Sequence, residues 1–226
     1  MFDGIAKRYD LLNRLMSLGA DRHWRRRTVE SLETAPGQAW LDLATGTADL
    51  AIELAEAERE IHVVGLDPSA HMLEIAQQKI EDAGLQKRIR LVLGSAEQLP
   101  FEDASFDGAT MAFGIRNVPD RSAALREIRR VLRPAGRLAI VELSEPPNRG
   151  WGRLARIYVH VIVPRWGAWL SGKAEYRYLQ RSIAAFPDAP TFERMLGEAG
   201  FDQVSSRSLS MGACHVFLAH RPESGP

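Results

Sequence analysis

Residues 40–49 read Trp40-Leu41-Asp42-Leu43-Ala44-Thr45-Gly46-Thr47-Ala48-Asp49, and this stretch decides the fold. A short apolar run ends in a turn of small residues, and a segment of helical period follows. Such a turn lets a ligand approach the backbone, and the unpaired N–H groups at the start of the helix attract an anionic group. The turn holds one glycine, so it fails the G-x-G-x-x-G pattern of dinucleotide binding. A tight strand-to-helix turn without a ligand is the competing reading.

Asp67 ends the second strand 21 positions after Gly46. An acid there accepts hydrogen bonds from both hydroxyls of a ribose and disfavours a 2′-phosphate. Its alternative is an N-terminal cap for the helix after Pro68. A third candidate loop, Gly94 to Phe101, offers small and polar residues that could close over a flat base, with a plain surface loop as the alternative.

The surrounding pattern alternates short apolar runs with helical segments, the signature of a parallel sheet covered by helices. Strands are expected at Ala39 to Leu43, Ile61 to Leu66, Ile89 to Leu93, Phe106 to Ala112 and Arg137 to Leu143. Helices fall near Ala48 to Ala57, Ala70 to Ala83 and Ser122 to Leu132. Pro134 with Gly136 reads as a helix stop before the fifth strand. The carboxyl-terminal part adds a helix from Pro190 to Ala199 and two strands, Phe201 to Leu209 and Ala213 to Ala219, paired antiparallel through a turn at Met211 and Gly212.

The 226 residues carry 29 Lys plus Arg and 29 Asp plus Glu. A zero formal net charge argues against general nucleic-acid coating. Cys214 is the single cysteine, so neither an internal disulfide nor a thiolate zinc cage is available. The six histidines show no metal spacing. Residues 1–10 carry Asp3, Lys7 and Arg8 with no apolar core, so no signal peptide is expected, and no uncharged stretch approaches the length that spans a bilayer.

The ordered set of loops resembles class I S-adenosylmethionine-dependent methyltransferases: an acid and a small-residue loop at strand one, an acid after strand two, and Ser95-Ala96-Glu97 after strand three. Departures are Ala44 and Ala48, where many members have glycine. The resemblance implies a mostly parallel, Rossmann-like sheet of seven strands with helices on both faces and an antiparallel carboxyl-terminal strand pair. It also implies a donor held by Asp42, Gly46, Thr47, Asp67, Ser95, Ala96 and Ala112, and no metal.

Three further stretches narrow the resemblance: residues 2–26, from Phe2-Asp3-Gly4 through Trp24-Arg25-Arg26; Phe113-Gly114-Ile115-Arg116-Asn117-Val118-Pro119-Asp120; and Arg130-Val131-Leu132-Arg133-Pro134 leading to Glu142-Leu143-Ser144. These are similar to the ubiquinone/menaquinone biosynthesis C-methyltransferases (UbiE type). Asp21 departs from the family's frequent histidine, and Ala112 from a frequent serine or asparagine. The family implies methylation of a ring carbon in a prenylated quinol, either demethylmenaquinol, which is favoured, or a methoxy-benzoquinol. A ring carbon beside a phenolate is a far better nucleophile than one beside a phenol, so the site needs a base or a fixed cation. Arg116, expected near the methyl position and cationic at any relevant pH, is the candidate; an ordinary ion-pair arginine is the alternative. Asn117, Tyr9 and Asp10 are expected to orient the quinol.

Between Arg149 and Arg181 stand seven Lys or Arg residues and one acid, Glu175, among Trp151, Trp166, Trp169, Tyr158, Tyr176 and Tyr178. This basic, aromatic insertion (147–182), with the helical segment 1–34, is expected to cover the substrate site of one methyltransferase domain. It could accept a prenyl tail and touch anionic headgroups, which points to a cytoplasmic protein peripheral to the inner face of the membrane. Packing on its own domain, or on a second subunit of a homodimer, competes with that reading. The rival functions are a nicotinamide-dependent reductase, whose glycine pattern and Tyr-x-x-x-Lys spacing are missing, and an adenosyl-ligand-binding scaffold without turnover.

Overall fold

The computed structural model describes residues 17, 19–146, 150, 153 and 173–223. In chain order the elements are α1 (Ala20–Glu30), β1 (Ala39–Leu43), α2 (Asp49–Ala57), β2 (His62–Asp67), α3 (Ala70–Asp82), β3 (Ile89–Leu93), β4 (Phe106–Ala112), α4 (Arg121–Val131), β5 (Leu132–Leu143), α5 (Lys173–Ala184), α6 (Ala189–Glu198), β6 (Asp202–Leu209) and β7 (Cys214–His220). Three helices begin at side-chain caps that their sequences supply. Ser69 accepts from the Met72 N–H, Asp120 from Ala123, and Asp188 from Thr191, each satisfying an otherwise orphaned donor.

The seven strands form one sheet in the order β3-β2-β1-β4-β5-β7-β6. Pairs among β1 to β5 are parallel, whereas β7 runs antiparallel to both β5 and β6. Parallel strands are covered on both faces, so their side chains are apolar on both. On one side Leu41, Met111, Ile140 and Phe217 pack with Leu125 and Ile128 of α4 and Phe192 and Leu196 of α6. On the other, Trp40, Val63 and Ala139 pack with Leu54 of α2 and Ile80 of α3. Trp40 is wholly buried, and it lies so close to Gly108 of β4 that a Cβ there would stand 2.2 Å from the indole.

The expected seven-stranded architecture holds, with local corrections. The second strand begins at His62 rather than Ile61 and ends on Asp67 itself. Ala48 precedes its helix in a left-handed conformation (φ 66°). Pro134 and Gly136 do not separate a helix from a strand: α4 passes straight into β5 at Leu132, and the irregularity appears as a register shift opposite Phe106 and Gly108, with Ala135 at φ 60°. The extra residues are absorbed as a bulge inside the strand. The final hairpin turns through a short 3₁₀ segment, Ser210–Gly212.

Of the expected amino-terminal cover, α1 is described. It packs on the sheet through Trp24, which meets Val141, Cys214 and Val216, stands 6.0 Å from the Phe113 ring and donates its indole N–H to Ser210 Oγ at 2.9 Å. Most of the basic, aromatic insertion lies outside the described residues; its last part is α5. Among the described residues no helix is long and apolar enough to cross a membrane.

Candidate active site

The carboxyl ends of β1 and β2 are tied together by one side chain. Asp67 Oδ2 accepts the Gly46 N–H at 2.9 Å, and its Oδ1 accepts the Ser69 N–H at the same distance. The capping alternative for Asp67 is thereby corrected. Ser69 caps α3, while Asp67 spans from the loop after β1 to the turn after β2. Gly46 takes a left-handed φ of 54° that favours glycine, and the space a side chain would fill there is open, its nearest atom being Ala44 O at 4.0 Å.

Ala44 and Ala48 occupy the same region, at φ 48° and 66°. The loop therefore keeps a glycine-type path with alanine at two of its positions, each at an expense of about 1–2 kcal/mol. Phe113, immediately after β4, is a fourth left-handed residue (φ 56°), held by its N–H to Val141 O at 2.8 Å.

Asp42 sits beneath this loop with both carboxylate oxygens engaged. Thr45 donates to Oδ2 at 2.6 Å and Thr110, on the neighbouring β4, to Oδ1 at 2.7 Å. Burial outweighs these two bonds, and the nearby Asp67 charge adds to it, so the carboxyl is pushed up from 3.8 to about 6. Asp42 is therefore a buttress for the loop and an acid with a raised proton affinity. Thr47 is buried and accepts from Lys79 Nζ at 3.1 Å; the same ammonium pairs with Asp49.

A cleft of about 50 Å³ opens above, lined by Asp21, Arg25, Asp42, residues 44–47, Asp49, Leu50, Ala112 and Phe113. Ser95 and Ala96 follow Gly94, whose N–H donates to the Asp67 carbonyl at 3.1 Å. Ser95 is exposed and bonded to Glu97, and Ala96 is buried against the core.

Phe113 links the cleft to Arg116. The Arg116 guanidinium donates to Phe113 O at 2.7 Å and to Glu142 Oε1 at 2.5 Å, while Glu142 Oε2 accepts the Arg116 backbone N–H at 3.2 Å. The pair is buried, with side-chain exposures of 7% and 0%. Glu142 lies two residues beyond Ile140 on β5, hence on the same face of the sheet as α4 and α6. Asn117 follows on the 3₁₀ turn Ile115–Asn117, where its side-chain oxygen accepts the Tyr178 hydroxyl of α5 at 3.1 Å. The structure thus brings Asp42, Gly46, Thr47, Asp67 and Ala112 around one group of strand ends, with Arg116 and Asn117 at its β4 side; Tyr9 and Asp10 lie outside the described residues. Burial pushes the Cys214 thiol far up, so it behaves as a packing residue. Among the described residues no cluster could hold a metal ion.

The model of the ubiE/COQ5 methyltransferase family matches residues 1–221. The chain belongs to that family. The demethylmenaquinone methyltransferase of Thermus thermophilus is 45% identical over 98% of this chain and all of its own length. The ubiquinone/menaquinone biosynthesis C-methyltransferase UbiE of Syntrophotalea carbinolica is 44% identical over 100% of this chain and 94% of its own. The crystal structure of a SAM-dependent methyltransferase from Aquifex aeolicus superimposes with a TM-score of 0.61, at 18% identity over 87% of this chain and 89% of that one, a likeness of fold.

Within this ubiE/COQ5 family site, sequence reasoning gave no role to Glu142, Thr110, Arg25 or Asp49. A signal did exist for Glu142: a lone acid in the apolar strand Leu138-Ala139-Ile140-Val141-Glu142 requires a buried partner. The same argument applies to Asp42 within Trp40-Leu41-Asp42-Leu43. Arg25 and Asp49 look like ordinary helix-surface charges in sequence, and their meeting depends on how α1 lies across α2.

Proposed function

We propose that this ubiE/COQ5 family member transfers the methyl group of S-adenosylmethionine to a ring carbon of demethylmenaquinol. The observation that carries the reading is the adjacency of a strained, small-residue cleft and a buried, rigidly held guanidinium, joined through the Phe113 carbonyl. The relatives from Thermus thermophilus and Deinococcus radiodurans named for demethylmenaquinone favour the naphthoquinol over the benzoquinol.

The residues fit the donor. Asp67 would take the ribose hydroxyls, and the open space over Gly46 with the short side chains of Ala44 and Ala112 would admit the amino-acid part. The acids Asp21, Asp42 and Asp49 suit a sulfonium and an ammonium, and Ser95 and Ala96 would border the adenine. When bound, the donor supplies an electrophilic methyl already activated by its sulfonium. The protein's part is alignment and water exclusion, and proximity of this kind is worth about 7–11 kcal/mol.

Arg116 would stabilise the phenolate that makes the ring carbon nucleophilic, with its geometry fixed by Glu142 and Phe113 before substrate arrives. Asn117, bridged to α5 by Tyr178, would orient the quinol. We assign to Tyr9 and Asp10 an orienting role from the amino-terminal segment, and to residues 147–182 a cover over the prenyl tail that touches the membrane surface.

The test is incubation with methyl-labelled donor and a panel of demethylated naphthoquinols and benzoquinols, with mass spectrometry locating the label. Label on the naphthoquinol ring carbon is expected; label on oxygen, or none on any quinol, refutes carbon methylation. Asp67→Ala should weaken donor binding, and unchanged affinity by calorimetry would contradict the ribose assignment.

A further inference from the structure

Arg25 is a buried cation that the expected donor contacts leave without a role. It lies in the middle of α1, with its side chain 9% exposed, and its guanidinium reaches Asp21 Oδ2 at 2.9 Å and Asp49 Oδ2 at 3.1 Å. Among the described residues lining the cleft it is the one lysine or arginine, set against three acids, Asp21, Asp42 and Asp49. A wall of that composition selects a ligand with more than one positive centre and a single carboxylate. Three acids alone would repel the carboxylate of an amino acid; the guanidinium offers that group a planar fork.

The surrounding charges make the exchange inexpensive. Asp49 is paired independently with Lys79, which also donates to Thr47 in the cleft wall. If Arg25 turns one edge to an incoming carboxylate, Asp49 keeps a counter-charge. Asp21 meanwhile keeps the Ser17 hydroxyl, which donates to its Oδ1 at 2.9 Å. Asp49 thus keeps an ammonium and Asp21 a hydroxyl donor, which lowers the cost of the rearrangement.

We infer that Arg25 receives the α-carboxylate of the methyl donor, so that α1 closes the amino-acid end of the donor site. The inference rests on the donor reading above and adds to it a binding residue from outside the sheet.

The test is calorimetric titration of the full chain with two ligands, S-adenosylhomocysteine, which carries the carboxylate, and 5′-methylthioadenosine, which lacks the amino-acid part. Arg25→Met should weaken the first at least tenfold and leave the second within twofold. Equal losses for both ligands, or unchanged S-adenosylhomocysteine affinity, would make Arg25 a strut between α1 and α2 and overturn the inference. Arg25→Lys keeps the charge and serves if the methionine variant does not fold. It should lose affinity selectively for S-adenosylhomocysteine by a smaller factor, and a non-selective loss again overturns the inference. If the unaltered protein binds neither ligand, the donor reading itself fails, a result distinct from loss of selectivity.

Discussion

Replacing Glu142 by Leu leaves the Arg116 guanidinium buried without its counter-charge, and replacing Arg116 by Met strands a carboxylate that has no exposed surface at all. Removing one partner of a buried pair typically costs about 3–5 kcal/mol, while replacing both by apolar residues of similar volume is often neutral. Each single variant also removes charge-assisted hydrogen bonds: the Glu142 carboxylate serves Arg116 at 2.5 and 3.2 Å and the Leu143 N–H at 2.8 Å. With a urea m-value near 2–3 kcal/mol per molar for a chain of this size, each single substitution should move the unfolding midpoint down by about 1–2 M. The Arg116→Met/Glu142→Leu double variant should recover most of that shift, which corresponds to a coupling of about 5 kcal/mol or more. Its turnover should nevertheless fall about a hundredfold or more on the proposed role of Arg116, because the cation assigned to the phenolate is gone. The assay pairs urea denaturation followed by tryptophan fluorescence with label transfer to a quinol. If each single variant costs under about 1 kcal/mol, or the double variant costs the sum of the singles, the buried-pair argument is wrong. If the stable double variant still turns over at the native rate, Arg116 has no part in the chemistry.

Three other outcomes follow from the geometry. Asp42 is fully buried with its carboxyl raised to about 6, so between pH 4 and 6 the folded protein holds a proton that the unfolded chain releases. This group therefore costs stability as pH rises through that window. Asp42→Asn should gain on the unaltered protein by about 2 kcal/mol between pH 4.5 and 7.5 in chemical denaturation, and a flat difference would contradict the elevated pKa. Gly108→Ala would place a Cβ 2.2 Å from the Trp40 ring and should cost about 1–3 kcal/mol, or several degrees in Tm by calorimetry; an unchanged Tm would contradict the tight packing. Ala44→Gly relieves a left-handed residue but adds freedom to the unfolded chain, so stability should change by less than about 1 kcal/mol with donor affinity retained, whereas Ala44→Val should lose donor binding measured by titration.

The sheet was legible because its information is local. Apolar runs bounded by glycine, proline and capping residues mark each strand and helix, and Ser69 and Asp120 do in the structure what their residue types suggest. The spacing of Asp67 to Gly46 made its place at the end of β2, next to the loop after β1, legible, although the backbone bonds it makes there were not. The three-residue offset at the start of β5, the interior placement of β7 and the pairing of Arg116 with Glu142 depend on strand order and register, which periodicity along the chain does not encode. Arg25 was hidden for a related reason: its partner Asp49 lies 24 positions away, and the two meet only after α1 folds across α2.

β7 is the last strand of the sheet in sequence, yet it has a neighbour on each side, β5 and β6. During synthesis the backbone edge of β5 that pairs with β7 stays open until residues 214–220 leave the ribosome, and β6 has nothing to pair with before then. Nascent chains should therefore pass through a stage with an exposed sheet edge, the kind of surface that chaperones cover and that stalled ribosomes would leave prone to aggregation.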